Sequence, residues 1–318
     1  MDRNATDPLA RLGAGGASVH EEALAPGLAR LRLASRAPER LGFPVYAYLL
    51  DGLLIDTGFA HARPALVRAL EGRGLVGVAL THHHEDHAGA AGAVAARHGC
   101  PVYLRDPAAR WSEGVGALPR YRRLFWGWVA PYEPGAMPAT LSTGPRSLRC
   151  VPTGGHSRTH TAFFEPEQGV LFTGDLLVAR GASAVMRHED PYESLASLRT
   201  VEALGARRIL PSHSDPIDDP QAALRRKIEH LEGAIRQVLD LHARGLEVAA
   251  IRRRVFPRGA WADFGGALMT EGEFSRAAFV RAVIARRDAY HSSRAATPAA
   301  PTVGNSVTRS RENPRSFQ

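Results

Sequence analysis

From Leu28 the chain alternates apolar with basic positions, Leu28-Ala29-Arg30-Leu31-Arg32-Leu33, the two-residue period of a half-exposed strand. Two apolar runs follow, Val45 to Leu50 and Leu53 to Ile55, and the Asp51-Gly52 pair between them predicts a hairpin. Its second strand ends at Asp56-Thr57-Gly58. Pro64 to Leu70 has helical spacing and stops near Gly72 and Gly74, after which Val76 to Leu80 predicts a strand. A helix expected over about 87–98 stops at Gly99, and its alanines and glycines imply close packing on a sheet. Pro101 to Leu104, Ser147 to Val151, Thr161 to Glu165, Val170 to Thr173 and Arg208 to Leu210 read as further short strands, with a helix from Tyr192 to Leu204 before the last.

Four stretches break this rhythm. Residues 1–27, rich in small and polar types, are expected to be irregular. Residues 105–140 hold Trp111, Tyr121, Phe125, Trp126, Trp128 and Tyr132 among arginines, yet Gly114, Gly116, Pro119, Pro131, Pro134 and Pro138 interrupt any long element. Such an aromatic insertion between strands is a lid or pocket wall, or else a satellite core; Trp111, Tyr121, Trp126 and Trp128 are the candidate substrate contacts. From Pro220 the pattern becomes helical, with a long amphipathic helix over Gln221 to Ala243 and shorter ones over Glu247 to Val255 and Ser275 to Arg287. This gives a helical C-terminal region, 220–291, after a main domain, 28–219. The tail, 292–318, is Ser/Pro/Ala/Arg-rich and is expected to be disordered.

Length and composition narrow the classes. With 318 residues, 44% of them apolar, the chain can build one large domain and an appendage. No run of about 18 apolar residues offers a membrane span, and the start lacks the apolar segment of a signal peptide, so a cytoplasmic location is expected. Two cysteines, Cys100 and Cys150, are too few for a disulfide framework or a thiolate metal site. The formal charge of +8 does not by itself point to nucleic acid: Lys227 is the only lysine, and arginine and alanine are both over-used, as a coding bias would produce.

The chemistry concentrates in Thr81-His82-His83-His84-Glu85-Asp86-His87, where a strand end opens into a helix. Imidazole nitrogen and carboxylate oxygen are the usual protein donors to zinc and similar ions, and so many within seven residues are costly to hold together without a cation. Three later loops each follow a strand and present one metal-competent side chain beside a small residue: His156, Asp175 and His213. Strand ends along one sheet edge can bring these to the first cluster.

Taken together, these motifs resemble the metallo-β-lactamase superfamily. Its pattern T-H-x-H-x-D-H is met by Thr81, His82, His84, Asp86 and His87, its third histidine by His156, its bridging aspartate by Asp175 in Phe172-Thr173-Gly174-Asp175, and its last histidine by His213. Asp56-Thr57-Gly58 resembles its strand-end turn, and the likeness covers about residues 28–218. The resemblance implies an α/β fold, a four-layer αββα sandwich, here with a C-terminal helical appendage. It also implies two divalent metal ions at one edge, zinc first, with iron or manganese as alternatives. His82, His84 and His156 would hold one ion, Asp86, His87 and His213 the other, and Asp175 would bridge them. Asp56 would orient the histidine loop, and His160 is expected behind the site; His83 and Glu85 fall on variable positions. Asp175 stands where zinc β-lactamases carry a cysteine, which argues against antibiotic hydrolysis. Gly154 replaces a usual proline, and Ser212 and Ser214 replace glycines.

The implied reaction is hydrolysis by a bridging hydroxide, with Asp86 orienting it or receiving its proton. Thr-His-His-His-x-Asp-His is similar to the wording of hydroxyacylglutathione hydrolases, which favours a small ester or thioester, although their glutathione-site motif is absent after Asp175. The helical tail resembles that of β-lactamase-like hydrolases that include endoribonucleases, so a phosphodiesterase is the alternative. A small-molecule substrate is expected and nucleic acid is not favoured.

Overall fold

The computed structural model describes residues 2–40, 42–108, 118–177, 185–257, 268 and 270–296, with side chains to residue 287. Two helices, α1 (Arg3–Thr6) and α2 (Pro8–Gly13), and a strand, β1 (Ser18–Ala25), occupy the stretch expected to be irregular. The reason β1 escapes a reading by pattern is its burial: all of its residues are exposed or half-exposed, so apolar residues mark neither face. It is the edge strand of its sheet and leans on β2 (Leu28–Ala34), whose burial pattern carries the expected strand signal.

After α3 (Arg36–Arg40), β3 (Val45–Leu50) and β4 (Leu53–Ile55) form the predicted hairpin, with Leu50 opposite Leu53. Asp51 and Gly52 both take positive φ, 44° and 86°, as a tight primed turn requires. Then come α4 (Arg63–Ala69), β5 (Gly77–Ala79), α5 (Glu85–Ala88), α6 (Ala91–His98), β6 (Val102–Leu104), α7 (Arg120–Phe125) and β7 (Gly135–Ala136). These strands make a seven-stranded sheet in sequential order, antiparallel from β1 to β4 and parallel from β4 to β7. The helix expected over 87–98 is two helices, α5 and α6, broken at Gly89-Ala90.

A second sheet has five strands in the order β12-β11-β10-β9-β8: β8 (Thr140–Ser142), β9 (Ser147–Pro152), β10 (Thr161–Glu165), β11 (Val170–Gly174) and β12 (Arg208–Pro211). Helices α8 (Pro191–Glu202), α9 (Pro220–Ala243), α10 (Val248–Val255) and α11 (Arg276–Ala296) complete the order. The chain divides into two units, Met1–Arg286 and Arg287–Gln318; the second contains, among the described residues, only the end of α11.

The layering follows from the side-chain period of β3, which is buried on both faces. Val45, Ala47 and Leu49 pack with Leu66, Val94 and other residues of the α4–α6 layer. Tyr46, Tyr48 and Leu50 face the other way, into a core shared with Phe163, Phe172 and Leu210 of the second sheet. Tyr48 also donates its hydroxyl to the Pro211 carbonyl at 2.6 Å, which satisfies the one polar atom it buries and ties the sheets together. With α8 and α9 packed against each other beyond the second sheet, the molecule is an αββα sandwich. No helix among the described residues is long and apolar enough to cross a membrane.

Strand direction gathers the chemistry. β9 and β11 are both antiparallel to β10, and β11 is parallel to β12, so the loops holding His156, Asp175 and His213 leave the same edge. The loops after β4 and β5 leave the parallel part of the other sheet together. The edges are stitched by Thr161 N–H donating to the Thr81 carbonyl at 2.8 Å and Tyr46 N–H to that of Ser212 at 2.9 Å.

Candidate metal centre

At the end of β4, Asp56 takes φ of 59°, a conformation that costs a non-glycine residue free energy and needs fixing by its surroundings. Its carboxylate supplies the fixing, accepting from Thr81 N–H at 2.7 Å and from the Thr81 hydroxyl at 2.8 and 3.0 Å. The same carboxylate lies 2.8 Å from His87 Nδ1 and accepts from the Ser212 hydroxyl at 3.3 Å. Asp56 thereby holds both ends of the Thr81–His87 loop and touches the loop of His213.

The other histidines of the cluster repeat this arrangement. His213 Nδ1 donates to the Pro44 carbonyl at 2.8 Å, and His82 Nδ1 lies 3.1 Å from the Thr81 hydroxyl. His156 Nδ1 lies 3.4 Å from Glu189 Oε1, a partner the sequence did not reveal. With the outer ring nitrogen so engaged, each imidazole turns its Nε2 inward, the arrangement that orients histidines toward a cation. His84 differs by offering Nδ1, which lies 2.9 Å from His82 Nε2 and 3.0 Å from His156 Nε2.

A cation of the zinc type with nitrogen donors at about 2.0–2.1 Å in tetrahedral array separates them by about 3.3 Å, so three nitrogens this close fit one such ion. His82, His84 and His156 could hold one; Asp86, His87 and His213 form a second group, and His82, His87 and Asp175 join the two. Asp175 Oδ1 lies 3.2 Å from both His87 Nε2 and His213 Nε2, while its Oδ2 lies 3.5 Å from His156 Nε2, so its carboxylate faces both groups. Asp86 Oδ2 is 3.4 Å from His213 Nε2.

Buried polar atoms ordinarily find hydrogen-bond partners. Here His87 Nε2, His213 Nε2 and Asp175 Oδ1 are buried within a few ångströms of one another with none. The protein's own charges compensate only in part. Burial, then neighbouring imidazoles, hold His82 and His84 well below the usual histidine range. Burial also opposes charge on His87 and His213, but Asp175 and the other carboxylates outweigh it, lifting His87 well above the range and His213 up to about 10. Burial would raise Asp175, yet His213 and His87 hold it well below the carboxylate range. The centre is a pocket of convergent imidazoles and carboxylates that draws positive charge.

Behind it, His160 is fully buried, with Nδ1 2.8 Å from the Thr153 hydroxyl and Nε2 accepting from Asp175 N–H at 3.1 Å. That acceptor role requires a neutral ring, and burial, with His156 nearby, lowers its pKa to about 3. Gly174 makes the approach fit: its φ is 49°, and a Cβ there would lie 2.8 Å from both His160 Nε2 and Thr81 Cβ. His83 and Glu85, on variable positions of the motif, turn away from the cluster. His83 Nδ1 meets the Thr159 hydroxyl at 3.0 Å, and Glu85 pairs with Arg122 at 2.8 Å.

The cluster opens into a chamber of about 650 Å³, a volume suited to a small-molecule ligand. Of the aromatic candidates, Tyr121 and Trp126 line it, as does Phe125. Trp128 lines a separate cavity of about 520 Å³ and donates its indole N–H to Asp7 at 2.8 Å; Trp111 lies outside the described residues. Phe43, whose ring centroid is 4.8 Å from that of His213, and Phe274, Phe279, Leu231 and Lys227 from the C-terminal region also face the chamber. These were not singled out from the sequence. An apolar residue on a helix reads as core, and nothing local distinguishes a chamber wall.

A family profile described as the metallo-β-lactamase superfamily matches residues 40–213. An atrochrysone carboxyl ACP thioesterase of Aspergillus fumigatus is 31% identical over 197 residues, 59% of this chain and 55% of that protein. A hydroxyacylglutathione hydrolase of a Synechococcus species is 29% identical over 198 residues, 62% of this chain and 69% of the relative. The chain thus spans about half the length of the fungal relative. Among solved structures, a metallo-β-lactamase family protein from Thermus thermophilus is similar at a TM-score of 0.60 and 25% identity, covering 84% of this chain and 95% of that one. A β-lactamase domain protein from Burkholderia ambifaria shares the fold at a TM-score of 0.64 and 19% identity, over 85% and 88% of the two chains. With the profile matching more than half of its length and its strand-end histidines and aspartates gathered at one edge of an αββα sandwich, the chain belongs to the metallo-β-lactamase superfamily.

Proposed function

We propose that the protein is a hydrolase that uses two divalent metal ions, zinc in the first place, to cleave a small ester or thioester. His82, His84 and His156 would hold one ion, Asp86, His87 and His213 the other, and Asp175 would join them. The observation that carries this reading is the buried convergence of these histidines and aspartates, in which His87 Nε2, His213 Nε2 and Asp175 Oδ1 lack a well-formed hydrogen bond and Asp175 is placed against both groups. Divalent ions so held supply Lewis-acid activation of a water and polarisation of the substrate carbonyl.

The chain's own residues do the rest. Asp86 borders both the cluster and the chamber, where it orients the attacking water and takes up its proton. Asp56, Glu189 and the Pro44 carbonyl fix the ring orientations of His87, His156 and His213. His160 presents its neutral Nε2 to Asp175 N–H and keeps the Asp175 backbone in place. The aliphatic and aromatic wall, with Phe125, Trp126, Leu198 and Phe279, excludes water and receives the apolar part of the substrate. The names of the fungal thioesterase and the hydroxyacylglutathione hydrolase favour a thioester among the bonds this chemistry can cut. A nucleic-acid phosphodiester fits less well, because the chamber's guanidinium, Arg122, already faces Glu85 and Glu273.

A panel of chromogenic thioesters, lactones and a bis-aryl phosphodiester, run with wild type and Asp86→Ala together, tests the reading. Thioester or ester turnover that collapses in Asp86→Ala is expected. Turnover confined to the phosphodiester, or thioester turnover indifferent to Asp86→Ala, overturns it.

A further inference from the structure

Most of the candidate ligands are held from outside the cluster. The Thr81 hydroxyl lies against His82, Asp56 against His87, Glu189 against His156 and the Pro44 carbonyl against His213, while Asp175 is held through its N–H by His160. His84 and Asp86 differ. His84 turns Nδ1 to His82 and His156 and buries Nε2 without a hydrogen bond among the described residues; its outer contacts are ring packing against His83 and His188, with centroids 4.9 and 5.9 Å away. The Asp86 carboxylate pairs, among the described residues, with other ligands alone, 3.4 Å from His213 Nε2 and 3.8 Å from His87 Nε2. Side chains without an outside partner of their own are aimed through the backbone that carries them.

Glu85 stands between the two. It shares the single turn α5 with Asp86, and His84 is the residue that opens this turn, without a side-chain hydrogen bond to cap it. One turn of helix is not stable alone, so its orientation depends on its anchors. On the downstream side the His87 carbonyl accepts from Thr57 N–H at 2.7 Å and from the Thr57 hydroxyl at 2.9 Å. On the upstream side the anchor is the buried Glu85 carboxylate, 2.8 Å from Arg122. Successive residues of a helical turn point to different sides, so Asp86 meets the cluster while Glu85 meets α7. Arg122 is itself fixed: it lies 3.2 Å from Glu273, Tyr121 donates its hydroxyl to the same carboxylate, and Arg120 donates from its N–H at 2.9 Å and its Nε at 3.2 Å to Glu271. A planar guanidinium can serve two carboxylates in fixed directions.

We propose that Glu85 and Arg122 are positioning residues that set the backbone between His84 and Asp86, one ligand of each ion. This rests on the two-ion hydrolase reading above. Glu85 borders the second cavity rather than the chamber, so a change there leaves the substrate wall as it is.

Zinc affinity of the full chain, read by competition with a metallochromic chelator, tests this apart from turnover. Glu85→Gln keeps the reach to Arg122 and removes the charge; Glu85→Asp keeps the charge and withdraws it from Arg122. Affinity is expected to stay close to wild type in Glu85→Gln and to fall about 10–100-fold in Glu85→Asp and Glu85→Ala, the range for a lost partner of a ligating group. With zinc in excess, kcat should fall in Glu85→Asp while KM stays. Unchanged affinity in Glu85→Asp overturns the anchor, and loss in Glu85→Gln with retention in Glu85→Asp assigns the effect to charge and overturns it too. Leu224→Ala, in the buried stripe of α9 and outside the cluster and the chamber lining, controls for general destabilisation. It is expected to lower the melting temperature and keep zinc affinity; an equal loss of affinity there overturns the positioning role. Should Glu85→Ala fail to fold, the Gln and Asp variants decide. Two zinc ions in wild type without ester or thioester turnover remove the hydrolase reading and leave the affinities to judge the anchor; a wild type that takes up no zinc removes both.

Discussion

Asp56 brings together a left-handed backbone, three hydrogen bonds from Thr81 and contacts with His87 and Ser212. Removing its carboxylate frees His87 to rotate and leaves Thr81 N–H, fully buried, without its acceptor. Asp56→Ala is therefore expected to weaken metal affinity about 10–100-fold, the range for lost partners of ligating histidines, as read by competition with a metallochromic chelator. Unchanged affinity would contradict the orienting role. His160 makes a different prediction. Its pKa falls from the ordinary 6.5 to about 3, so between those values the unfolded chain binds the proton and the folded one does not. Stability from this group is complete above about pH 6.5 and is lost as pH falls toward 3. In chelator-treated protein, His160→Gln should flatten the fall of the melting temperature across that window; an unchanged slope would refute the buried neutral ring.

At the scale of elements, the loop from β5 into α5 is held from outside by α7. Arg122 of α7, buried, bridges Glu85 of the loop and Glu273 of the C-terminal region, to which Tyr121 also donates its hydroxyl. Burial opposes charge on both Glu85 and Arg122; at Arg122 the carboxylates outweigh it, whereas at Glu85 burial prevails and Arg122 limits the rise. Arg122→Met leaves the buried Glu85 carboxylate without its guanidinium partner and is expected to cost about 3–5 kcal/mol in denaturant unfolding. Adding Glu85→Gln should recover part of that loss, and strict additivity of the two changes would contradict the pairing. None of this was legible in the sequence. The hairpin at Asp51-Gly52 and the histidine motif are local, written within a few residues. Glu85, Arg122 and Glu273 are far apart along the chain and meet only because the fold lays α7 and the C-terminal region over the loop. β1 was missed for another reason: an exposed edge strand has no apolar face to announce it.

For the whole molecule, the sequence pattern conveys the run of strands whose ends deliver His82, His156, Asp175 and His213, because each strand is short, apolar and closed by its own turn. It did not convey that the C-terminal region walls the chamber. Phe279, nearly fully buried, illustrates the point: it serves core and wall at once. Phe279→Ala is expected to cost about 3–5 kcal/mol of stability and to enlarge the chamber, raising KM for short acyl substrates more than for long ones. An unaltered chain-length profile would separate the C-terminal region from substrate binding. The central claim, that the convergent histidines and aspartates hold two divalent ions, is tested most directly by the metal content of the purified protein. Elemental analysis against protein concentration should give two divalent ions per chain, with fewer in Asp175→Ala; well under one ion per chain would contradict the account.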